Sequence, residues 1–587
     1  MSTLKTSTVK TQPIPGQKMG TSGLRVKVRL VEQTPNFLEN FSQSVFNIIL
    51  SQEYLLENKI SSEKQSENFL QLVIGGDGRY YNKTAIQTIL KVLYANAVNR
   101  NLKIHVKVGQ NGTISTPAVS CIIRKYQAEL GGLILTASHN PGGPNNDWGI
   151  KYNAPNGGPA PEKITDRIYD QSVKITEYLH SDLPNIDFSQ VAENVFADGH
   201  FRVSVIDAVE DYYELLSTIF DMDKIRKLLT GGSFNLLFDA MHGVTGNYAK
   251  RILAEKLGAD EHKNLINYQP SEDFGGGHPD PNLTYAEELV KKVLKDENTN
   301  IDLGAASDGD GDRNMILGKH FFVTPSDSVA VIADYAQKCI PYFQKRGIAG
   351  LARSMPTSTA IDRVAKELGV NIYEVPTGWK YFGNLFDAGK LSICGEESFG
   401  TGSDHIREKD GMWAVLGWLS ILAFENENKK VSVADIVQNH WKKYGRSYYT
   451  RYDYEEVSSE GANNMMSHIR DTYVTPFLAN QLSEESKNLF AQYNIASVEE
   501  FSYKDPIDGS FTGKQGMIFK LQDQSRIIFR LSGTGSSGAT IRVYMEKYIA
   551  DRIDGNPLEE AKPLAHIAQT VSKLAEFTGR NEPTVIT

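Results

Sequence analysis

The chain has 587 residues, of which 40% are hydrophobic and 23% charged, and its formal net charge is −9 at pH 7. This length exceeds what one hydrophobic core supports and predicts about three to five domains. The composition excludes a disordered chain and a collagen. The acidic balance argues against nucleic acid as the main partner, because phosphate backbones require a basic protein surface.

Cysteine usage and apolar runs bear on the compartment. Cys121, Cys339 and Cys394 are far apart and show no C-x-x-C spacing, so neither a disulfide framework nor a zinc site is predicted. The first residues lack the apolar stretch of a secretory signal. The longest apolar run, 412–424, is too short to cross a bilayer and predicts a buried helix. We therefore expect a cytoplasmic protein with no transmembrane segment.

Short apolar runs alternate with helical patterns from about residue 70. The first pass predicts strands at 71–77, 103–109 and 131–140 and helices at 83–99 and 117–126. Similar passes begin at 235 and at 350, and each of the three ends in a polar loop. Continuous apolar strands that alternate with helices indicate sheets covered on both faces.

The predicted fold class is α/β, with three similar α/β domains and a smaller C-terminal α+β domain around a central active-site cleft. Ligands of open α/β sheets gather at the carboxyl ends of strands, so the polar loops could converge on one cleft. We place the domains at 1–208, 209–323, 324–442 and 443–587. The polar stretch 181–199, which shows no periodicity, is interpreted as a boundary region.

The run DGDGD at 308–312 is the sharpest local signal. Asp308, Asp310 and Asp312 can all face one centre, and three charges that close would be costly without a cation. Hard oxygen ligands select magnesium or calcium. An EF-hand is excluded, because Arg313 stands where its loop needs glycine and Lys319 where it needs glutamate. A solvated acidic turn is the alternative interpretation.

The run TASHNPGG at 136–143 places Ser138 and His139 at a predicted strand-to-loop junction. Asn-Pro-Gly-Gly is strong turn chemistry, so an ordinary turn is one interpretation. The other is an exposed nucleophile, which needs a base or a metal because a free serine hydroxyl is weakly nucleophilic. A cation at the aspartate run could supply that activation if the two loops meet.

The run SGTGSSGAT at 532–540 matches the dinucleotide fingerprint G-x-G-x-x-G through its three glycines. That fingerprint requires a helix directly after the glycines, whereas the strand-like TIRVYME follows here, so the dinucleotide interpretation is rejected. A turn rich in Ser, Thr and Gly between Arg530 and Arg542 is suited to hold a phosphate. A flexible hairpin is the alternative.

Two further features are weaker. GEESFG at 395–400 places two glutamates and a serine after an apolar strand, where they could bind sugar hydroxyls or form a solvated loop. Lys151 and Lys409 are single lysines, for which surface charge is the default interpretation.

The four motifs TASHNPGG, DGDGDRN, GEESFG and RLSGTGSSGATIR, in this order, resemble the α-D-phosphohexomutase superfamily. The likeness is closest to its eukaryotic phosphoglucomutase branch, which includes the ciliate protein parafusin, and runs from residue 20 to the C-terminus. It implies a four-domain fold around a deep cleft. It also implies an intramolecular phosphotransferase of the isomerase class, which interconverts α-D-glucose 1-phosphate and glucose 6-phosphate through a phosphoserine and glucose 1,6-bisphosphate.

The resemblance also implies roles for individual residues. Ser138 would carry the phosphoryl group, and Mg²⁺ would bind Asp308, Asp310, Asp312 and a phosphate oxygen on Ser138. Arg313 would lie beside the metal, and His139, Lys151 and Lys409 would surround the reacting oxygen, with Lys151 as the first candidate for proton transfer and His139 as the second. The implied substrate contacts are Thr21, Ser22, Arg25, Thr377, Gly378, Glu396, Ser398, Arg530, Ser532, Gly533, Thr534, Ser536 and Arg542.

Sugar choice and additional roles remain open. GEESFG resembles glucose-specific members, whereas members that accept mannose and glucose typically carry GEMSAH, so glucose is expected. A phosphomannomutase or broad hexose phosphomutase is one alternative, and a non-catalytic scaffold of the same fold is another. Because parafusin is linked to regulated exocytosis, the resemblance also raises a role there, with peripheral association with secretory vesicles.

Overall fold

The computed structural model describes residues 4–20, 22–61, 68–535 and 538–587. The chain divides into two compact units. The first unit contains residues 1–348 and 391–434, and the second contains residues 349–390 and 435–587.

The first unit contains a seven-stranded mixed sheet. In spatial order its strands are Leu24–Lys27, Asp147–Asn153, Gly132–Leu135, Leu70–Gly76, Ile104–Thr113, Phe201–Ile206 and Ala192–Phe196. The four strands from Gly132–Leu135 to Phe201–Ile206 are parallel, and the outer strands join antiparallel. The strand Leu70–Gly76 is almost entirely buried, as expected for a strand covered on both faces.

Helices surround this sheet and share a continuous apolar core with it. The predicted helices at 83–99 and 117–126 are confirmed as Asn82–Asn99 and Thr116–Tyr126. The other helices of this region are Val28–Gln33, Phe37–Ile49, Gln52–Glu57 and Glu162–Ser172, and a separate strand pair joins Thr6–Lys10 to Glu177–Ser181.

A second, five-stranded sheet lies in the same unit. Its spatial order is Leu265–Ile266, Leu236–Asp239, Leu303–Ser307, Asn314–Gly318 and Phe321–Val323. The unit also contains a hairpin of Ile393–Glu396 and Gly400–Ser403. The remaining helices are Ala208–Ile219, Met222–Thr230, Thr245–Tyr248 continuing to Lys256, Glu261–Asn264, Glu287–Val290 continuing to Lys295, Pro325–Cys339, Pro341–Arg346 and Gly411–Glu425.

The stretch 181–199, interpreted as a boundary region, contains the strand Ala192–Phe196, which pairs with Phe201–Ile206 at the edge of the seven-stranded sheet. This edge strand is largely exposed, so its residues carry no apolar alternation that a pattern could reveal. The predicted buried helix at 412–424 is confirmed as Gly411–Glu425.

The second unit contains a six-stranded sheet in the order Ile495–Glu500, Met517–Leu521, Arg526–Gly535, Gly538–Ile549, Arg446–Val457 and Val585–Ile586. The strand-like run expected after the glycine-rich turn is a strand, and it pairs antiparallel with the strand Arg526–Gly535. The unit also contains the parallel pair Gly350–Ser354 and Asn371–Val375 and the short pair Tyr503–Lys504 and Phe511–Thr512. Its helices are Ala360–Leu368, Lys380–Asp387, most of Val433–Tyr444, Ser459–Ile469 continuing to Leu478, Glu484–Gln492, Pro557–Ser572 and Leu574–Thr578.

Candidate active site

Ser138 lies in the loop 136–143, which we call the serine loop, just after the buried strand Gly132–Leu135. Its backbone is left-handed, with a φ of 54°. For a residue other than glycine this conformation costs of order 1 kcal/mol or more and is concentrated at functional sites. The Ser138 amide donates to Thr136 Oγ1 at 2.7 Å, which helps to hold the turn.

A buried ion pair supports the serine loop from beneath. Arg79 Nε donates to Asp77 Oδ2 at 2.9 Å, and neither side chain is exposed. The free end of the Arg79 guanidinium donates to the Ser138 carbonyl at 2.9 Å and to the Asn140 carbonyl at 3.3 Å. The sequence analysis missed this pair, although the DGR run at the end of the first predicted strand was the available signal.

The three aspartates lie in the loop 308–312, which we call the aspartate loop, directly after the strand Leu303–Ser307. One carboxylate oxygen from each lies within 4.8 Å of the other two, and all three side chains are buried. A Cβ on Gly309 would stand 2.8 Å from the Ser138 carbonyl oxygen, so only glycine permits this close approach.

The charge balance of the aspartate loop favours a cation. Burial, and then the charges of Asp310 and Asp312, raise the pKa of Asp308 well above its ordinary value. The Oδ1 atoms of Asp310 and Asp312 are buried and accept no hydrogen bond from any described residue. Carboxylate oxygens with unused lone pairs are the donors that hard divalent cations prefer, so these residues fit a magnesium-type ion.

The serine loop and the aspartate loop meet. Ser138 Oγ donates to Asp308 Oδ2 at 3.1 Å, although the two residues are 170 positions apart in the chain. His139 Nδ1 lies 3.4 Å from Ser138 Oγ. Burial and the nearby Arg313 and Arg25 lower the pKa of His139 well below its ordinary value, which keeps the imidazole neutral at physiological pH.

Four cations lie around this cluster of carboxylates. Lys409 Nζ stands 3.4 Å from Asp312 Oδ2, and Arg313 Nη1 stands 3.2 Å from Asp280 Oδ1. Lys151 Nζ donates to Glu408 Oε1 at 3.1 Å. Burial lowers the pKa of Arg25, against the attraction of Asp310. Such a concentration of positive charge is suited to the oxygens of a phosphoryl group.

The loop 395–400, which carries GEESFG, packs against the two residues that directly follow the aspartate loop. The Asn314 amide donates to the Phe399 carbonyl at 2.9 Å, and Arg313 forms an isolated backbone bridge with Gly400. Glu396 is buried and Ser398 is partly exposed. Both residues therefore lie in the loop that contacts the chain directly after the aspartate loop.

The remaining expected substrate residues of the first unit are only partly described. Ser22 is exposed and lies in the turn closed by Gly20 and Gly23. Arg25 lies on the strand Leu24–Lys27, opposite Gly149. Thr21 lies outside the described residues.

In the second unit the expected phosphate residues lie on an antiparallel pair of strands. Arg530 is directly opposite Arg542, and Ser532 is opposite Thr540. Both arginines are partly exposed and retain hydrogen-bonding capacity: Arg530 Nη1 donates to the Tyr544 hydroxyl at 3.3 Å, and Arg542 Nε lies 3.6 Å from Asp453 Oδ2. Ser536 and the side chain of Thr534 lie outside the described residues, and Gly533 belongs to the strand Arg526–Gly535.

Thr377 and Gly378 follow the strand Asn371–Val375, also in the second unit. The Thr377 Oγ1 atom is buried and has no hydrogen-bond partner among the described residues. An unsatisfied buried hydroxyl is uncommon in folded proteins and is compatible with a ligand-binding role.

The sequence analysis missed two further polar residues at the site. Thr116 Oγ1 donates to Asp310 Oδ2 at 2.7 Å from the first turn of the helix Thr116–Tyr126. Glu408 is buried against Lys151, and its only local signal is the charged run REKD.

Within the described ranges, no helix has the length and apolar character needed to span a membrane.

Four family models match the chain in order. They are phosphoglucomutase/phosphomannomutase alpha/beta/alpha domain I over residues 16–179, domain II over 210–320, domain III over 324–444, and the phosphoglucomutase-1 C-terminal domain over 446–584. The chain belongs to the phosphoglucomutase/phosphomannomutase family. The predicted fold class, three α/β domains followed by a distinct C-terminal domain, is thereby confirmed.

Curated relatives and solved structures agree with this membership. The cytoplasmic phosphoglucomutase of Mesembryanthemum crystallinum is 53% identical, and the alignment covers 100% of both chains. The chloroplastic phosphoglucomutase of Solanum tuberosum is 54% identical over 100% of this chain and 88% of the relative. The open form of pp63/parafusin, an exocytosis-sensitive phosphoprotein and phosphoglucomutase from Paramecium, is 47% identical with full coverage of both chains and a TM-score of 0.89. The chain is thus a mutase of the isomerase class, as the resemblance implied.

Proposed function

We propose that this chain is a magnesium-dependent phosphoglucomutase that interconverts α-D-glucose 1-phosphate and glucose 6-phosphate. One observation carries the proposal: the Ser138 hydroxyl lies 3.1 Å from Asp308, within a buried cluster of carboxylates that suits a divalent cation. The curated relatives at 53–54% identity, which are phosphoglucomutases, support the choice of reaction.

Ser138 is the proposed phosphoryl carrier. Phospho-Ser138 would transfer its phosphoryl group to the free hydroxyl of glucose 1-phosphate and form glucose 1,6-bisphosphate. The bisphosphate would turn round and return its other phosphoryl group to Ser138, leaving glucose 6-phosphate. The left-handed turn at Ser138 and the Arg79 bond to its carbonyl would keep Oγ in one position, and phosphoryl transfer depends mainly on such positioning.

Asp308, Asp310 and Asp312 would hold the magnesium ion. Bound there, the ion would neutralise negative charge on the transferring phosphoryl group. Arg313 and Lys409 would add positive charge on either side of the aspartate loop, since they already pair with Asp280 and Asp312. These fixed charges lie in a buried region, where they act more strongly than in water.

Proton transfer at the sugar hydroxyl is assigned to Lys151, with His139 as the second candidate. Lys151 is only 13% exposed and lies on the strand Asp147–Asn153, close enough to Asp310 and Asp312 for their charges to raise its pKa against the lowering effect of burial. Its ammonium would donate a proton to the sugar oxygen when a phosphoryl group leaves that oxygen for Ser138. The amine left behind would take the hydroxyl proton in the opposite transfer. His139 is neutral and touches Ser138 Oγ, so it could accept a hydrogen bond there.

The remaining assignments concern the rest of the substrate. Glu396 and Ser398 would bind sugar hydroxyls, and Arg25 would contact the reacting phosphate. The non-reacting phosphate would be bound by guanidinium, hydroxyl and backbone N–H groups, which form strong charge-assisted hydrogen bonds. The residues proposed for these remaining contacts are Thr21, Ser22, Thr377, Gly378, Arg530, Ser532, Gly533, Thr534, Ser536 and Arg542. The domain boundaries near 208, 323 and 442 and the central cleft between the domains also remain proposals.

The serine assignment is tested by Ser138→Ala, with Ser217→Ala on an exposed helix surface as the control. With magnesium, glucose 1-phosphate and a trace of glucose 1,6-bisphosphate, the wild type and the control should form glucose 6-phosphate, as measured by coupled reduction of a nicotinamide nucleotide. Ser138→Ala should show no turnover above background while keeping the circular dichroism spectrum of the wild type. Wild-type turnover by Ser138→Ala would overturn the proposal.

The proposal also covers substrate choice and cellular location. We expect glucose 1-phosphate to be turned over in preference to mannose 1-phosphate, and comparable kcat/KM values for both would favour the broad hexose phosphomutase. A cytoplasmic location is proposed on the cytoplasmic phosphoglucomutases among the relatives, and imaging of a tagged chain tests it. The 47% identity to an exocytosis-sensitive phosphoprotein favours peripheral association with secretory vesicles. Flotation of wild type and Ser138→Ala with isolated vesicles would test this role separately from catalysis.

A further inference from the structure

A buried carboxylate, Glu408, lies beside the proposed reaction centre but belongs to none of the four motifs. It is 2% exposed and lies in the loop 404–410, between the strand Gly400–Ser403 and the helix Gly411–Glu425. Glutamate is almost never fully buried unless it is paired. Its partners therefore indicate what it does.

The loop that carries Glu408 is held firmly at both ends. His405 bridges them, since its Nδ1 lies 2.7 Å from Ser403 Oγ and its Nε2 lies 2.9 Å from Asp410 Oδ2. Asp410 also accepts from the Tyr212 hydroxyl at 2.5 Å and from the Trp413 amide at 3.0 Å. Networks of satisfied buried hydrogen bonds are rigid, so the orientation of Glu408 is set before any ligand binds.

From this fixed position Glu408 accepts hydrogen bonds from two side chains on one face of the strand Asp147–Asn153. Its Oε1 atom accepts from Lys151 Nζ at 3.1 Å and from Asn153 Nδ2 at 2.9 Å. Lys151 and Asn153 are two residues apart on the strand Asp147–Asn153 and therefore point to the same side of the sheet. Asn153 is itself tied to the Gly157 carbonyl at 3.0 Å. The Lys151 side chain thus ends at an acceptor that cannot easily move.

The charges around Lys151 are also defined. Burial acts to lower the pKa of Lys151, and the negative charges of Glu408, Asp310 and Asp312 outweigh it and raise that pKa. Glu408 precedes the aspartates in the size of this effect. On the neighbouring strand, Arg25 opposes Gly149, which lies two residues from Lys151 on the same face.

We propose that Glu408 is a positioning residue that holds the Lys151 ammonium at the edge of the aspartate loop, so that it meets the reacting sugar oxygen in one orientation. This inference rests on the proposed function, in which Lys151 acts at that oxygen. Glu408 itself touches neither the substrate nor the aspartates in this account, and it acts only through Lys151.

Two substitutions test separately the negative charge and the side-chain length of Glu408. Glu408→Gln keeps the size and one acceptor oxygen but removes the charge, and Glu408→Asp keeps the charge but shortens the side chain. We expect kcat to fall by about 10- to 100-fold in Glu408→Gln, the loss typical of a misplaced catalytic group, while KM changes little. Glu408→Asp should recover part of the loss. Asp327→Asn, which also removes a buried carboxylate in the same unit, is the matched control and should keep wild-type kcat.

The pH profile adds a readout that a purely structural role would not change. With Glu408 neutralised, the pKa of Lys151 should fall, because Glu408 is the negative charge that most opposes the effect of burial. The alkaline limb of kcat should therefore move to lower pH in Glu408→Gln at saturating magnesium. An unshifted limb together with unchanged kcat would overturn the inference.

A double-mutant cycle decides whether Glu408 acts through Lys151. Adding Glu408→Gln to Lys151→Met should cost no further activity, since the group being positioned is already gone. Full additivity would overturn the positioning role. Wild-type kcat in Lys151→Met would instead contradict the role of Lys151 in the proposed function. If Glu408→Gln lowers the unfolding midpoint, the same cycle with Glu408→Asp carries the test.

Discussion

Replacing Asp308 with Asn tests whether the aspartate loop is a cation site. Asp308 is the member whose ionisation is most disfavoured, because burial and the charges of Asp310 and Asp312 raise its pKa well above the ordinary value of 3.8. The three ligand oxygens lie within 4.8 Å of one another. At an effective dielectric constant of ~20, two unit charges at that distance repel by about 3 kcal/mol. Without a cation, Asp308 therefore retains a proton that a bound divalent ion must displace.

This proton makes the binding of magnesium dependent on pH. Below the raised pKa of Asp308, the wild type should release up to one proton for each ion bound, and its affinity should fall about tenfold for each further pH unit. The amide of an Asn side chain has no acidic proton to release and no negative charge to offer the ion. Losing a ligand carboxylate should weaken magnesium binding by at least the roughly 10- to 100-fold that the loss of an outer-shell partner costs. Asp308→Asn should also bind the residual magnesium without proton release.

The free energy of unfolding of the magnesium-free protein should depend on pH through the same proton on Asp308. A carboxyl group whose pKa is raised by folding keeps its proton in the folded state above pH 3.8, where the unfolded chain has lost it. The free energy of unfolding should therefore decrease as pH rises from 3.8 through the raised pKa of Asp308. Asp308→Asn should lack this contribution.

Isothermal titration calorimetry in buffers with different ionisation enthalpies measures the ion affinity and the released proton together. Asp327→Asn, a buried carboxylate outside the cluster, serves as the control and should bind magnesium as the wild type does. The reasoning is refuted if the wild type binds magnesium without releasing a proton, or if Asp308→Asn binds with unchanged affinity.

Three further predictions follow from the geometry. Arg79 donates to the Ser138 carbonyl, so Arg79→Lys should misplace the serine loop and lower kcat by about 100-fold. Steady-state kinetics measures this effect, and an unchanged kcat would show that the bond is not needed. Glu546→Gln should lower the free energy of unfolding of the second unit by about 3–5 kcal/mol in denaturant titrations, because Arg526 Nη2 lies 2.6 Å from Glu546 and both are buried. Neighbouring arginines lower the pKa of Glu546 to about 2 despite its burial. The contribution of Glu546 to the free energy of unfolding should therefore be present above its ordinary pKa and lost as pH falls towards 2. An unfolding transition that the substitution does not change would contradict this. Arg542→Gln should raise the KM for glucose 1-phosphate by about 10- to 100-fold, the value of one charge-assisted hydrogen bond, and an unchanged KM would exclude Arg542 from phosphate binding.

The fold was predictable where burial leaves a regular pattern. The strands Leu70–Gly76 and Ile104–Thr113 are covered by helices, so their apolar runs stand out in the sequence. The edge strand Ala192–Phe196 is largely exposed, so its sequence carries no pattern that predicts it. The strand predicted at 131–140 ends at Leu135, because the polar residues that follow turn into the serine loop.

The candidate site was predictable where its chemistry is local. Three carboxylates in five residues indicate a cation from sequence alone, because their mutual repulsion requires one. The contact between Lys151 and Glu408 joins residues 257 positions apart, and neither residue has a distinctive local pattern. The same holds for Arg79 and Ser138, whose contact depends on how two strand ends meet at one edge of the sheet. Such long-range contacts become visible only in the folded chain.

The most direct test of the account follows the phosphoryl group itself. Incubation of the magnesium-loaded protein with glucose 1,6-bisphosphate labelled in both phosphates, followed by rapid quenching and peptide mapping, should give one labelled peptide with the label on Ser138. Unlabelled glucose 1-phosphate should then remove that label at the rate of turnover. Label on a different residue, or a label on Ser138 that glucose 1-phosphate does not remove, would contradict the account.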